Sequence, residues 1–156
     1  MVIAISSTVA LAAEPFFPHA LAMLAPERVT AVTGLPRLLL RLEGLAFALL
    51  AVLVFARLGE SWWLFAALIL APDLSFFGYL AGPRIGALAY NAAHSLIGPV
   101  LLAAVGILLQ DNLLTAVAAI WIAHIGFDRA LGYGLKYGEG FTFTHLGRIG
   151  KTTPQL

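Results

Sequence analysis

The sequence predicts an all-α, polytopic membrane protein folded as a four-helix transmembrane bundle, and three observations carry that expectation. Hydrophobic residues make up 61% of the 156 residues and charged residues 11%, with a mean hydropathy of +0.94; soluble domains run about half apolar and about a quarter charged. Four apolar segments, 38–58, 61–81, 85–110 and 113–131, each approach or exceed the ~20 residues needed to cross a ~30 Å hydrocarbon core. The connections between them, Gly59-Glu60, Gly82-Pro83-Arg84 and Asp111-Asn112, are so short that consecutive helices must be antiparallel neighbours.

Taken in order, residues 1–36 read as a leader. Val2 to Ala13 is apolar and is followed by Glu14-Pro15, but it lacks the basic start of a signal peptide, so cleavage is not expected. Pro15, Pro18, Pro26 and Pro36 interrupt any long helix, leaving a short interfacial helix at 20–24 or, as the favoured expectation, a poorly ordered lead-in. The transmembrane domain spans residues 37–133. Its first helix, 38–58, carries Arg41 and Glu43 near its start, and its second, 61–81, opens on the interfacial pair Trp62-Trp63 and contains Asp73. The third, 85–110, has no formal charge but holds Asn91 and His94; the fourth, 113–131, holds His124 and then Asp128-Arg129. Residues 134–156 form a Gly-rich tail. Gly78, Gly82 and Gly86 have the small-xxx-small spacing of closely packed membrane helices.

Basic residues set the orientation. Arg28, Arg37, Arg84, Lys136, Arg148 and Lys151 fall on the side of both termini and the second connection, against Arg57 alone on the other. The positive-inside rule therefore predicts that both termini and the second connection are cytoplasmic. A net charge of +1 without a basic stripe argues against nucleic acid as a partner. The absence of cysteine removes disulfides, thiolate metal sites and cysteine nucleophiles.

The costly polar groups share a depth. At 1.5 Å per residue, Asp73 lies roughly 12 Å, Asn91 about 10 Å, His94 about 15 Å, His124 about 13 Å and Asp128 about 8 Å from the cytoplasmic ends of their helices. Tyr90 and His94 are spaced i, i+4, as are His124 and Asp128, so each pair projects from one face. An Asp at a helix centre costs on the order of 2.5–3.5 kcal/mol, and such a residue faces protein or water and takes a partner.

Three readings of this layer stand side by side. Asp73, His94, His124 and Asp128 can form a metal site for one divalent ion, for which imidazole and carboxylate suit zinc, iron or manganese. The same groups can form a proton or ion path. They can also be a structural network, with Glu43 and Asp73 paired to Arg41, Arg84 or Arg129, and the histidines bonded to Asn91, Tyr79 or Tyr90. Under the first reading the partners are the lipid bilayer and a lipid-like or amphipathic substrate to be hydrolysed, with Glu43, Asp128 and His145 as candidate catalytic groups. The rival is a non-enzymatic carrier or scaffold. No Walker, Rossmann or nucleophile-elbow pattern occurs in the chain.

Several strings are more specific than periodicity: Leu40-Arg41-Leu42-Glu43-Gly44, Ala71-Pro72-Asp73-Leu74-Ser75-Phe76-Phe77-Gly78-Tyr79, Tyr90-Asn91-Ala92-Ala93-His94, and Trp121 to Arg129. With Gly82 to Ala87, Gly132 to Tyr137 and Thr144 to Gly150, their ordered set closely resembles a bacterial membrane-protein family catalogued as domain of unknown function 4260. That resemblance covers Leu38 to Gly150 and implies a small multi-span membrane protein, with no activity attached. A looser likeness links Pro72-Asp73-Leu74-Ser75, Ala93-His94-Ser95 and His124-Ile125-Gly126-Phe127-Asp128 to predicted metal-dependent inner-membrane hydrolases. Ser75 departs from that pattern, which has a second Asp there, and a further His before the His-Ser pair is lacking. In the tail, Lys136, Tyr137, Phe141, Phe143, His145 and Arg148 fit a basic-aromatic segment resting at lipid headgroups. The alternative is a loop folded over the mouth of the site, with His145 or Arg148 reaching an anionic substrate.

Overall fold

A computed structural model describes residues 31–150. The expectations for residues 1–30, and for the tail beyond residue 150, lie outside the described residues. Four helical spans, Gly34–Leu58, Trp62–Ala81, Pro83–Leu108 and Asn112–Leu131, are each long and apolar enough to cross a membrane. Large apolar side chains such as Leu53, Leu80, Leu88 and Leu108 point outward, which suits a bundle whose solvent is hydrocarbon.

The first span is one helix, α1 (Gly34–Leu58). It begins earlier than the expected Leu38 because Pro36 falls in the first turn, where a missing N–H costs no hydrogen bond. Left-handed Gly59 ends it, with φ 75°.

The second span is not one regular α-helix. After α2 (Trp62–Leu68), capped by the Ser61 side chain accepting from the Trp63 N–H, the chain tightens into a 3-10 segment, Ala71–Ala81, with Pro72 near its start. Three residues per turn align residues three apart. Asp73, Phe76 and Tyr79 therefore form one column, with the acid and two rings on a single face.

The third span is also broken, into α3 (Pro83–His94) and α4 (Ile97–Leu108), with Ser95 extended at ψ 147°. Pro99 is the cause, since its ring clashes with the carbonyl four residues earlier, that of Ser95. The break frees the Ala93 carbonyl, and the Trp121 indole N–H donates to it at 2.6 Å. His94 is thereby left on the last turn of α3. The fourth span, α5 (Asn112–Leu131), starts at Asp111, whose side chain accepts from the Leu114 N–H, and ends at left-handed Gly132.

Small residues set the helix crossings. On α1, Gly44, Ala48, Ala51 and Phe55 are buried against α5, where Ala116, Ala119, Ala123 and Gly126 are buried in turn. A Cβ on Gly126 would lie 2.6 Å from the Gly44 carbonyl oxygen, so the backbones touch there. The Gly78–Gly82–Gly86 spacing works differently from a stripe on one helix. Gly82 is the turn, at φ 110°, while Gly78 and Gly86 face each other across the hairpin, a Cβ on Gly78 lying 3.4 Å from the Gly86 Cα.

The apolar core of Phe55, Ala116, Ala119 and Ile120, with Leu64, Phe65 and Leu68 packed on it, fills the end of the bundle near the first and third connections. At the opposite end the tail doubles back as a small antiparallel hairpin, β1 (Phe143–Thr144) and β2 (Gly147–Arg148). It is tied to the chain leaving α5 by a bridge between Lys136 and Thr144, and Lys136, Thr144 and Leu146 are all buried. Phe141, Phe143 and Arg148 of the same segment stay exposed.

Candidate metal centre

Three of the four spans bring one polar cluster together. Asp73 comes from the start of the 3-10 segment, His94 from the end of α3, and His124 and Asp128 from successive turns of α5. One ligand atom from each lies within 4.8 Å of the other three. His94 Nε2 is 3.4 Å from Asp73 Oδ1 and 3.5 Å from Asp128 Oδ2, and His124 Nε2 is 3.5 Å and 3.8 Å from the same two atoms. The two Nε2 atoms are 3.1 Å apart.

Four of these separations, 3.1–3.5 Å, are close to the edges of a coordination polyhedron, and the His124–Asp128 distance of 3.8 Å is longer. With metal–ligand bonds of about 2.0–2.1 Å, tetrahedral ligands sit about 3.3–3.4 Å from one another. The site is also open on one side, because the histidines are sealed at 3% and 5% exposure while Asp73 and Asp128 keep 32% and 20%. A cavity of about 290 Å³ lined by Asp73, Phe76, Tyr90, Asp128, Tyr133 and Phe141 meets the two carboxylates.

The surrounding groups fix the imidazole of His94. Its Nδ1 lies 3.0 Å from the Tyr90 carbonyl oxygen. A carbonyl can only accept, so Nδ1 carries the proton and the Nε2 of the neutral ring presents a lone pair to the cluster. The Tyr90 ring stacks on the His94 ring at 3.7 Å, and Phe76 stacks on Tyr90 at 5.3 Å. The Tyr90 hydroxyl donates to Asp128 Oδ2 at 3.1 Å. One residue thus orients a histidine through its backbone and ring and an aspartate through its hydroxyl, as outer partners of metal ligands do.

The family can be placed against this geometry. The sequence model described as "Domain of unknown function (DUF4260)" matches residues 37–149. The chain belongs to that family. No curated protein and no solved structure matches it. The matched stretch of this DUF4260 chain contains all four cluster residues and the small hairpin of the tail.

The other residues singled out in the sequence separate into two groups. Asn91 is engaged: its side-chain N–H donates to the Lys136 carbonyl at 2.8 Å, and its oxygen accepts from the Lys136 N–H at 2.7 Å. Arg41 donates to the Ala130 carbonyl at 2.8 Å and so caps the last turn of α5. Glu43 and Arg84 are exposed and stand apart from the cluster. The Tyr79 hydroxyl has no hydrogen-bond partner among the described residues, although its ring packs on Phe141 at 5.7 Å. Arg129 is half-buried and forms no ion pair among the described residues; every ion-pair distance there joins a histidine to Asp73 or Asp128. His145 does not reach the cluster. Its Nδ1 accepts from the Leu135 N–H at 2.9 Å, and burial, with Arg129 nearby, holds its imidazole below the usual value.

Lys136 is the residue that sequence reasoning missed. The sequence places it among the orienting positive charges and in the basic-aromatic tail, both of which expect an exposed side chain, yet it is 4% exposed. Its Nζ sits 4.0 Å over the Phe141 ring and 4.8 Å over the Tyr90 ring. Burial lowers its ammonium to about 8, against the opposing pull of Asp128.

Proposed function

We propose that Asp73, His94, His124 and Asp128 hold one divalent metal ion, and that the protein is a metal-dependent hydrolase acting on a lipid-like substrate at the cytoplasmic side of a bacterial inner membrane. The observation that carries the metal reading is the His94 tautomer. With Nδ1–H committed to the Tyr90 carbonyl, the Nε2 lone pair faces two carboxylate oxygens and a second imidazole nitrogen, all at 3.1–3.5 Å. Unprotonated, these groups repel; a divalent ion attracts all four and balances the two carboxylate charges. Imidazole and carboxylate together suit zinc, iron or manganese.

Bound there, such an ion would act as a Lewis acid and lower the pKa of water at its remaining open position. In the hydrolysis the water oxygen bonds to the acyl carbon or phosphorus of an ester. The ester bond breaks, one water proton ends on the departing alkoxide, and the other leaves with the acid product, which releases it to solvent. A lipid-like substrate is supported by a second cavity of about 310 Å³, largely apolar, whose lining includes Pro72, Ser75, Ala93, Ile120 and Trp121. Pro72 directly precedes Asp73 and Ala93 directly precedes His94, so this space adjoins the ligand-bearing turns. The orientation rests on the basic residues at the end that carries the cluster.

The 3.1 Å separation of the imidazole nitrogens is also a hydrogen-bond distance, which supports the rival: a proton path or buried network with no metal. Elemental analysis of the detergent-purified protein, wild type beside His94→Ala and His124→Ala, separates the two. Near-stoichiometric metal in the wild type, lost in both variants, is the expected result. Metal-free wild type after supplementation at neutral pH would sink the metal reading, and variants that then lose only thermal stability would point to the network.

A further inference from the structure

Lys136 has been built into place rather than left on a flexible arm. Its backbone is held on one side by the paired bonds to the Asn91 side chain and on the other by the bridge to Thr144. Its ammonium is surrounded by rings, with Phe141 at 4.0 Å, Tyr90 at 4.8 Å and Tyr133 at 6.0 Å from the ring centroids. Those faces offset part of the cost of burying a charge. They supply no acceptor of the usual kind for its three N–H groups. Among the described residues Nζ donates no hydrogen bond to protein, and no carboxylate lies within 4.0 Å of it. The same three rings make up half of the lining of the cavity that reaches Asp73 and Asp128. The rings that line this cavity beside the carboxylates of the metal cluster therefore also hold a buried cation that has no ion-pair partner among the described residues.

We propose that this cavity binds an oxyanion of the phosphate-monoester class, carried on an amphiphile, between the Lys136 ammonium and the cluster. The inference rests on the metal reading for the second cation. A phosphate monoester has three terminal oxygens, enough to meet a metal ion and an ammonium at once. The amphiphile is argued from the mouth: Phe76, Tyr133 and Phe141 are 37%, 40% and 43% exposed, and aromatic rings at a membrane interface sit where headgroups meet chains. Lys136 is in these terms a substrate-binding residue whose loss leaves the metal ligands untouched.

The test is calorimetric titration of the full-length protein in detergent with dodecyl phosphate and, separately, with inorganic phosphate. Wild type, Lys136→Gln and Lys136→Arg are compared, with metal content and thermal midpoint measured on the same samples. Dodecyl phosphate is expected to bind the wild type, and Lys136→Gln to weaken it about 10- to 100-fold at unchanged metal content. Lys136→Arg, which keeps the charge, should retain most of the binding and so shows that the position tolerates replacement. Equal binding to Lys136→Gln and wild type at full metal content overturns this inference alone, and so does metal-loaded wild type that binds neither ligand. Inorganic phosphate binding as tightly as dodecyl phosphate overturns the amphiphile and leaves free phosphate as the source. Wild type without metal overturns the metal reading; Lys136-dependent anion binding in that sample still supports the lysine's role, and no binding overturns it.

Discussion

The Asn91 side chain and the Lys136 backbone exchange two hydrogen bonds, at 2.8 Å and 2.7 Å, across 45 residues of sequence. A side-chain amide here takes the place of a neighbouring strand, and it joins α3 to the tail that carries Lys136 and Phe141. Removing it strands a half-buried N–H and C=O at once, each costing about 1–3 kcal/mol when left unpaired. Asn91→Ala is accordingly expected to loosen the tail. Hydrogen exchange should speed up at residues 134–148 while α1 and α5 stay protected, and tail exchange matching the wild type would refute the clamp.

Tyr90 connects the two halves of the cluster, and its ring and its hydroxyl can be separated. Tyr90→Phe keeps the 3.7 Å stack on His94 and deletes only the donor to Asp128 Oδ2. Outer partners of this kind are worth about 10- to 100-fold in metal affinity. Competition with a chelator should show a loss in that range for Tyr90→Phe, with the fold and the His94 geometry intact. Unchanged metal affinity would make the hydroxyl contact incidental.

The spans and the four cluster residues were legible in the sequence for a simple reason. In hydrocarbon an Asp or His must face protein, so shared depth on short-looped, antiparallel helices already brings Asp73, His94, His124 and Asp128 to one level. Depth alone did not separate participants from bystanders. Glu43 lies close enough to the same end to belong, but it is exposed, because α1 turns its small residues Gly44, Ala48 and Ala51 toward α5. The breaks at Pro72 and Pro99 were visible as prolines. Their consequence, a 3-10 column carrying Asp73, Phe76 and Tyr79, depends on packing against α3 that periodicity does not encode. The Lys136 environment was illegible for a related reason: it is made by Tyr90, Tyr133 and Phe141, and only tertiary folding brings the first and last of these together.

The crossing of α1 and α5 makes a prediction about stability that does not depend on any ligand. A Cβ at position 44 would lie 2.6 Å from the Arg129 Cβ and 3.0 Å from the Gly126 carbonyl oxygen. Neither neighbour is the free end of a flexible chain, so the helices must move apart. Gly44→Ala is expected to cost about 1–3 kcal/mol as overpacking, seen as a lower thermal midpoint in detergent. Gly59→Ala, with nothing within 4 Å of its Cβ but φ at 75°, serves as a comparison in which backbone strain acts without a helix contact. A Gly44→Ala midpoint equal to wild type would contradict the close crossing.

The lysine also sets a pH dependence for anion binding. Burial moves its ammonium down from 10.5 to about 8, with the Asp128 charge opposing the shift. An oxyanion binds the charged form, so affinity is full below about pH 8 and falls as the proton leaves, by up to tenfold per pH unit above it. An ordinary lysine would hold its charge, and the binding, to beyond pH 10. Tyr90, Tyr133, Asp73 and Asp128 face the same space, and a bound metal ion would have its own pH response. Lys136→Arg separates these contributions, since a guanidinium stays charged throughout while the neighbours are unchanged. Dodecyl phosphate titrations from pH 6.5 to about 9.5 should therefore decline for the wild type near its lysine value and stay flatter for Lys136→Arg. Parallel declines in the two proteins would assign the pH response to the neighbours or the metal, and would remove the lysine from the titration.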